Sequence, residues 1–187
     1  MLKTDFKIKN RTIKNYEDPF FIAEAGSNHN QSLETAFKLI EVAANAGAQA
    51  VKFQLFKAEK LYPSGTRMYD VFKSIELKQD WVPKLIDHSK SCGIEFLASP
   101  FDIDSVDFLE EVEVVAYKIA SSELANPKLL ARIAKKKKPI FLSTGMCDLV
   151  DILDAVELCS SLESTSIAIF TCGAVYPFTT RTGKIKR

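Results

Sequence analysis

Ala50-Val51-Lys52-Phe53-Gln54 is an apolar run interrupted by one lysine, and Ala116-Tyr117-Lys118-Ile119-Ala120 repeats the arrangement. Each reads as a buried strand in which an ammonium stands where valine would pack better. A buried ammonium is costly unless it meets a counter-charge, so the two lysines together read as a holder for an anion. Three further strand-like runs end in small or polar residues: Ile22-Ala23-Glu24, Phe96-Leu97-Ala98-Ser99 and Phe141-Leu142-Ser143-Thr144-Gly145. Polar groups gathered at strand ends are the layout of an α/β active site.

Working outward from these runs, strands are predicted over 20–25, 50–55, 94–98, 115–120, 139–143 and 166–171. Ser32 is a plausible N-cap for a helix ending near Gly47, with Leu33, Ala36, Phe37, Ile40, Ala43 and Ala44 at helical spacing. Asp80 is expected to cap a helix over 81–91, and Pro127 to open another. Further helices are predicted over 103–111 and 149–161, and Trp81 is expected to anchor its helix in the core. The connection 56–80 is long enough to be functional rather than a minimal turn. Residues 1–18 are polar and basic, with Ile8 and Ile13 spaced like a short edge hairpin.

Strands apolar on both faces, alternating with amphipathic helices, imply a parallel sheet covered by helices. A doubly wound sheet would need a glycine-rich phosphate turn after its first strand, and Gly26-Ser27-Asn28-His29 is not one. Polar residues after five consecutive strands favour a (β/α)8 barrel of the TIM type, in which every strand end faces one site. Eight strands usually take about 250 residues. The 187 residues here are therefore expected to form an incomplete barrel domain, cut short after about the sixth strand and lacking strands seven and eight.

Composition narrows the function classes. The formal net charge is +1, which argues against a general nucleic-acid or membrane-surface role. The basic run from Lys135 to Lys138 reads as a solvated helix end, where cations are favoured. No apolar stretch approaches the roughly 20 residues of a membrane span, and the first residues lack the apolar core of a signal peptide. Cys92, Cys147, Cys159 and Cys172 are scattered without metal spacing, which suits a reducing cytoplasm. Cys147, just past a strand end, is either a plain small residue or a neighbour of the site.

Taken in order, these motifs resemble the sialic acid synthase family, the N-acetylneuraminate synthases with their legionaminate and pseudaminate relatives. The matching segments are Ile22-Ala23-Glu24-Ala25-Gly26-Ser27-Asn28-His29-Asn30, Val51-Lys52-Phe53-Gln54, Phe96-Leu97-Ala98-Ser99-Pro100-Phe101-Asp102, Tyr117-Lys118-Ile119-Ala120-Ser121-Ser122-Glu123 and Leu142-Ser143-Thr144-Gly145-Met146. One segment alone would be weak; five in register across residues 20–177 are specific. The resemblance implies a (β/α)8 barrel with a small C-terminal antifreeze-like domain, working as a homodimer. It implies condensation of phosphoenolpyruvate with an N-acetylated hexosamine such as N-acetylmannosamine, with release of phosphate. It also implies a divalent metal, Mn2+ or Mg2+, that activates the open-chain aldehyde.

By the same resemblance Lys52 and Lys118 contact the phosphoenolpyruvate, where phosphate and carboxylate on three carbons call for concentrated positive charge. Ion pairs with buried carboxylates are the structural alternative for both. Ser99, Ser121 and Ser143 match hydroxyls donating to the same ligand, although a single serine at a strand end is more often a loop cap. Glu24 is matched to the sugar or to proton transfer at the reacting centre. Gln54, Glu123 and Tyr176 match contacts to the acceptor sugar, and Glu123 could instead pair with Lys118. His29, a lone loop histidine, reads as structural rather than as a metal ligand or base, and His88 is expected to be exposed in mid-helix.

Three departures from the family pattern matter. Gln31 stands where many members have glycine. Ala174 stands where a polar Asn or Ser usually faces the carboxylate, a loss of about 1.5–3 kcal/mol of binding. The two metal-binding histidines of the family match neither His29 nor His88, so the metal ligands are expected to be missing. Two further readings therefore stand beside the synthase: a catalytically inactive fragment that at most binds phosphoenolpyruvate or a partner subunit, and an enzyme using a Schiff base on Lys118.

Overall fold

The computed structural model describes residues 5–15 and 17–173. Its chain opens with the antiparallel pair β1 (Asp5–Ile8) and β2 (Arg11–Lys14). Six parallel strands follow: β3 (Ile22–Gly26), β4 (Ala50–Leu55), β5 (Glu95–Pro100), β6 (Tyr117–Ile119), β7 (Ile140–Ser143) and β8 (Ile167–Phe170). They lie side by side in the order of the sequence, β3-β4-β5-β6-β7-β8. A doubly wound sheet would reverse its order at a switch point; this sheet never does. It is a curled sheet of the (β/α)8-barrel type, with helices on its outer face.

The helices are α1 (Leu33–Asn45), α2 (Ala58–Leu61), α3 (Arg67–Ser74), α4 (Val82–Ser91), α5 (Ile103–Glu111), α6 (Pro127–Ala134) and α7 (Leu149–Ser161). Several begin where a side chain satisfies an orphan backbone donor. Ser32 accepts from the Thr35 N–H at 3.1 Å and Asp102 from the Ser105 N–H at 2.8 Å. Asp148 and Asp151 close a reciprocal capping box on α7. Asp80 does not act as the expected cap. It sits inside a 3-10 turn, Gln79–Trp81, that runs directly into α4 with Pro83 in the first helical turn.

Side chains alternate across each strand, and the two sets meet different partners. Val51, Phe53 and Leu55 on β4, Phe96 and Ala98 on β5, Tyr117 and Ile119 on β6, and Ile140 and Leu142 on β7 pack outward against the helices. Ala50, Leu97, Ala116 and Phe141 face the other way and form a second apolar cluster with Phe6 and Ile8 of the hairpin. The hairpin is thus not an edge of the main sheet. It is a separate two-stranded unit that fills the barrel interior beneath the strand tops. Phe141 is its centre of contact, with Phe6 at 6.0 Å, Phe20 at 6.2 Å and Phe170 at 5.6 Å between ring centroids.

Two surface expectations change. The lysines after α6 are paired rather than simply solvated: Lys136 meets Asp107 at 3.1 Å, Lys138 meets Glu110 at 2.9 Å and Lys137 meets Glu163 at 3.2 Å. His88 is half-buried, stacked on Phe37 at 4.3 Å with Nε2 at 3.0 Å from a Glu41 carboxylate oxygen. Trp81 is buried in the helix-facing core, as expected. Among the described residues no helix is long and apolar enough to cross a membrane.

Candidate active site

The inward-facing positions change character one step above the apolar plug. On β4, Lys52 and Gln54 follow Ala50; on β5, Ser99 follows Leu97; Lys118 on β6 follows Ala116 just before that strand; on β7, Ser143 follows Phe141. Every parallel strand ends on the same face, so these side chains converge. Glu24, Lys52, Gln54, Ser99, Lys118, Ser121 and Ser143 line a single cleft of about 270 Å³. Seven of the nine residues expected to act on substrate are brought together in this way. Glu123 is not on the wall; its carboxylate accepts from the Asn126 amide at 3.2 Å and the Ser122 hydroxyl at 3.3 Å, while Lys118 is engaged by Ser143 and the Ile119 carbonyl instead. Tyr176, like Ala174, lies outside the described residues.

The two lysines are 5% and 7% exposed, but their surroundings differ. Lys52 Nζ forms an ion pair with Glu24 at 2.7 Å and lies 3.5 Å from Ser99 Oγ. Lys118 Nζ donates to Ser143 Oγ and, at 3.2 Å, to the Ile119 carbonyl, with the Phe170 ring centroid 5.3 Å away. Burial, and then the neighbouring Lys52 ammonium, push the Lys118 pKa down to about 8, while Cys172 and Glu24 oppose the shift. The cleft therefore holds two cationic groups, one balanced by a carboxylate and one in contact only with neutral partners among the described residues.

Glu24 is aimed by its backbone. A register irregularity falls between Glu24 and Gly26 where β3 pairs with β4, and Gly26 adopts φ +57°. That conformation suits glycine, and a Cβ there would stand 3.1 Å from Glu24 Oε1. Ser27 then donates to Gln54 Oε1 at 3.1 Å, which fixes the amide and leaves its NH2 for the cleft. At Gly145 a Cβ would stand 3.3 Å from both the Cys172 Cβ and its carbonyl, so glycine lets the chain after β8 close the far wall with Met146, Cys172 and Gly173. None of these was signalled by charge or spacing in the sequence. Ser27 was visible only within a loop of the first matching segment, and Gly145 only as the small residue ending a strand-like run. Cys147 is beside the site rather than on its wall: its thiol donates to the Ser121 carbonyl at 3.2 Å, and burial raises its pKa.

His29 is buried, with Nδ1 accepting from the Gln31 N–H at 3.2 Å and its ring edge-on to Trp81. Burial holds its pKa below the ordinary value. It lies off the wall of the cleft. Gln31 takes φ +55°, a conformation that suits glycine, and its side chain donates to the Glu76 carbonyl at 2.7 Å. That bond ties the loop to the 56–80 connection. Glu76 anchors the same connection through Lys57 at 3.2 Å and Lys73 at 3.1 Å.

Residues 39–187 match the family model described as the NeuB family. The chain belongs to the NeuB family. It is 40% identical to the N,N'-diacetyllegionaminic acid synthase of Campylobacter jejuni, over 83% of this chain and 52% of that protein. The crystal structure of the N-acetylneuraminic acid synthetase of Leptospira borgpetersenii superposes with a TM-score of 0.90 at 29% identity, covering 96% of this chain and 63% of that one. The spore coat polysaccharide biosynthesis protein of Bacillus subtilis gives 0.83 at 35% identity, covering 94% and 49%. This NeuB-family chain spans about half the length of the curated relatives it matches.

The family resemblance also implies a divalent metal, and the described residues of the cleft do not converge on a site for one. Among the described residues Glu24 is the single carboxylate on its wall, and Lys52 already engages it. Among the described residues no three His, Cys, Asp or Glu side chains converge.

Proposed function

We propose that this chain carries the phosphoenolpyruvate-binding part of a nonulosonic acid synthase, which condenses phosphoenolpyruvate with an N-acetylated hexosamine and releases phosphate. The observation that carries the reading is the pair of buried lysines facing one cleft. Lys52 and Lys118 supply the charge for phosphate and carboxylate, and Ser99, Ser121 and Ser143 supply neutral donors around them. Gln54, oriented by Ser27, offers its NH2 to the acceptor. In the reaction the enol C3 attacks the sugar aldehyde, water adds at C2, and phosphate leaves with cleavage of the C–O bond. The residues of the cleft hold and orient the enol ester, and Glu24, carried on the bulge of β3, is the group poised to move a proton beside the reacting carbons.

In this reading residues 1–187 form one partial barrel domain. The remaining strands, the metal ligands, the antifreeze-like domain and the homodimer belong to a longer protein of this family, working in the cytoplasm. A second reading, binding without turnover, is favoured by the lack of a metal-binding cluster among the described residues.

Calorimetric titration of phosphoenolpyruvate into the chain tests the proposal. Binding is expected, weakened about tenfold or more by Lys118→Met, the loss of one charge-assisted contact. No heat of binding, or binding indifferent to both lysines, overturns it. Phosphate release with N-acetylmannosamine and Mn2+ separates turnover from binding alone.

A further inference from the structure

We propose that the cleft captures small 2-oxo acids as reversible imines on Lys118. Imine formation needs three things at one place: an uncharged amine, a cation to hold the acid's carboxylate, and a group to move a proton. A lysine becomes such an amine when it is desolvated or set beside another cation. Lys118 meets both conditions, being 7% exposed and facing Lys52 across the cleft.

The division of labour follows from the contacts. Lys52 has its own carboxylate partner, Glu24 at 2.7 Å. Lys118 touches a hydroxyl, a carbonyl and an aromatic ring. The titratable groups acting on it are Lys52 from β4, Glu24 from β3 and Cys172 after β8; burial and Lys52 outweigh the other two, and its pKa falls to about 8. At neutral pH a larger share of Lys118 is then uncharged than of an ordinary exposed lysine.

The step balances without an oxidant or reductant. The Lys118 Nζ lone pair forms a C–N bond to C2 of the 2-oxo acid as the carbonyl π bond opens. Ser143, in contact with Nζ, relays the proton from nitrogen to the new alkoxide, giving a carbinolamine. Loss of that oxygen as water then forms the C=N bond. Lys52 and Ser99 hold the carboxylate throughout. This activity goes beyond the condensation, which makes no covalent bond to the protein, and it does not depend on it.

The test uses pyruvate with sodium borohydride on the folded 187-residue chain, its fold verified by a cooperative thermal transition, followed by peptide mapping. The reduced adduct is expected on Lys118 at a level on the order of ten times that on exposed lysines, after allowing for the weaker intrinsic nucleophilicity of a less basic amine. Acetone, which lacks the carboxylate, is expected to label Lys118 about tenfold less. Lys52→Gln is expected to reduce the pyruvate adduct, since it removes the anion contact and the neighbouring charge together. No adduct on Lys118, labelling spread evenly over exposed lysines, or acetone matching pyruvate overturns the proposal. An adduct in a chain that fails to bind phosphoenolpyruvate would refute the condensation reading alone. Phosphoenolpyruvate binding without an adduct would refute the imine alone.

Discussion

Replacing Lys52 by methionine separates a substrate lysine from a structural one, because the two roles predict opposite changes in stability. Lys52 is 5% exposed, so its ammonium bears a desolvation cost of several kcal/mol that the ion pair must offset. Its partner, however, is not buried with it: the Glu24 side chain is 56% exposed while that of Lys52 is 7%. If the lysine is removed, Glu24 turns into water and leaves no stranded charge. Methionine follows the same path with an apolar, adaptable chain. The expected change runs from nothing to a gain of about 2 kcal/mol, a rise in Tm of up to about 8 °C for a chain of this size.

Binding should move the other way. Loss of one charge-assisted contact to an anion costs about 1.5–3 kcal/mol, or roughly 10- to 150-fold in Kd for phosphoenolpyruvate. Differential scanning calorimetry and isothermal titration on the same preparation give both numbers. A structural ion pair would instead lose about 3–5 kcal/mol when broken. A fall in Tm of more than about 6 °C with anion binding intact would refute the reasoning, since Lys52 would then be serving the fold.

Three other changes probe the same frame. Gly26→Ala forces a side chain into a left-handed conformation and against the Glu24 carboxylate; thermal unfolding should register a loss of about 1–2 kcal/mol. Phosphoenolpyruvate affinity should fall as pH rises through about 8, where Lys118 loses its proton. Stability should rise with pH between about 8 and the ordinary 10.5, because the unfolded chain holds more protons there; titration and melting curves across pH 7–10.5, flattened in Lys118→Met, check both slopes. Phe141→Ala opens a cavity at the centre of the hairpin plug and should cost about 3–5 kcal/mol, read from urea unfolding.

The sequence was most legible where one residue type had one physical job. Helices α5 and α7 and strand β4 fall on the predicted bounds, since capping aspartates and an uninterrupted apolar run leave little choice of ends. Lys52 and Lys118 stood out because charge in an apolar strand has few structural excuses. Asp80 misled because a polar residue before a helix resembles a cap, whereas Pro83 and the preceding 3-10 turn set that boundary. The pairing of Lys136 and Lys138 with Asp107 and Glu110 joins residues whose proximity only the fold creates. Ser27 acts through Gln54, a contact between consecutive strand ends that no local pattern announces.

What local patterns announced least is how the plug and the site depend on each other. Phe6 packs on Phe141, Phe141 on Phe170, and Phe170 against the Lys118 ammonium. The hairpin that looks like an N-terminal ornament is therefore linked through these rings to the residue that flanks Lys118. Burial is the largest cause of the lowered Lys118 pKa, and the Phe170 ring beside the ammonium packs on Phe141 of the plug. The Phe170 face works against this by favouring the charged form, but a ring that also excludes water removes more solvation than it replaces. The same aromatic stack that stabilises the barrel thus sets the chemistry available above it. A cavity at Phe141 that admitted water should raise the Lys118 pKa as well as lower the stability.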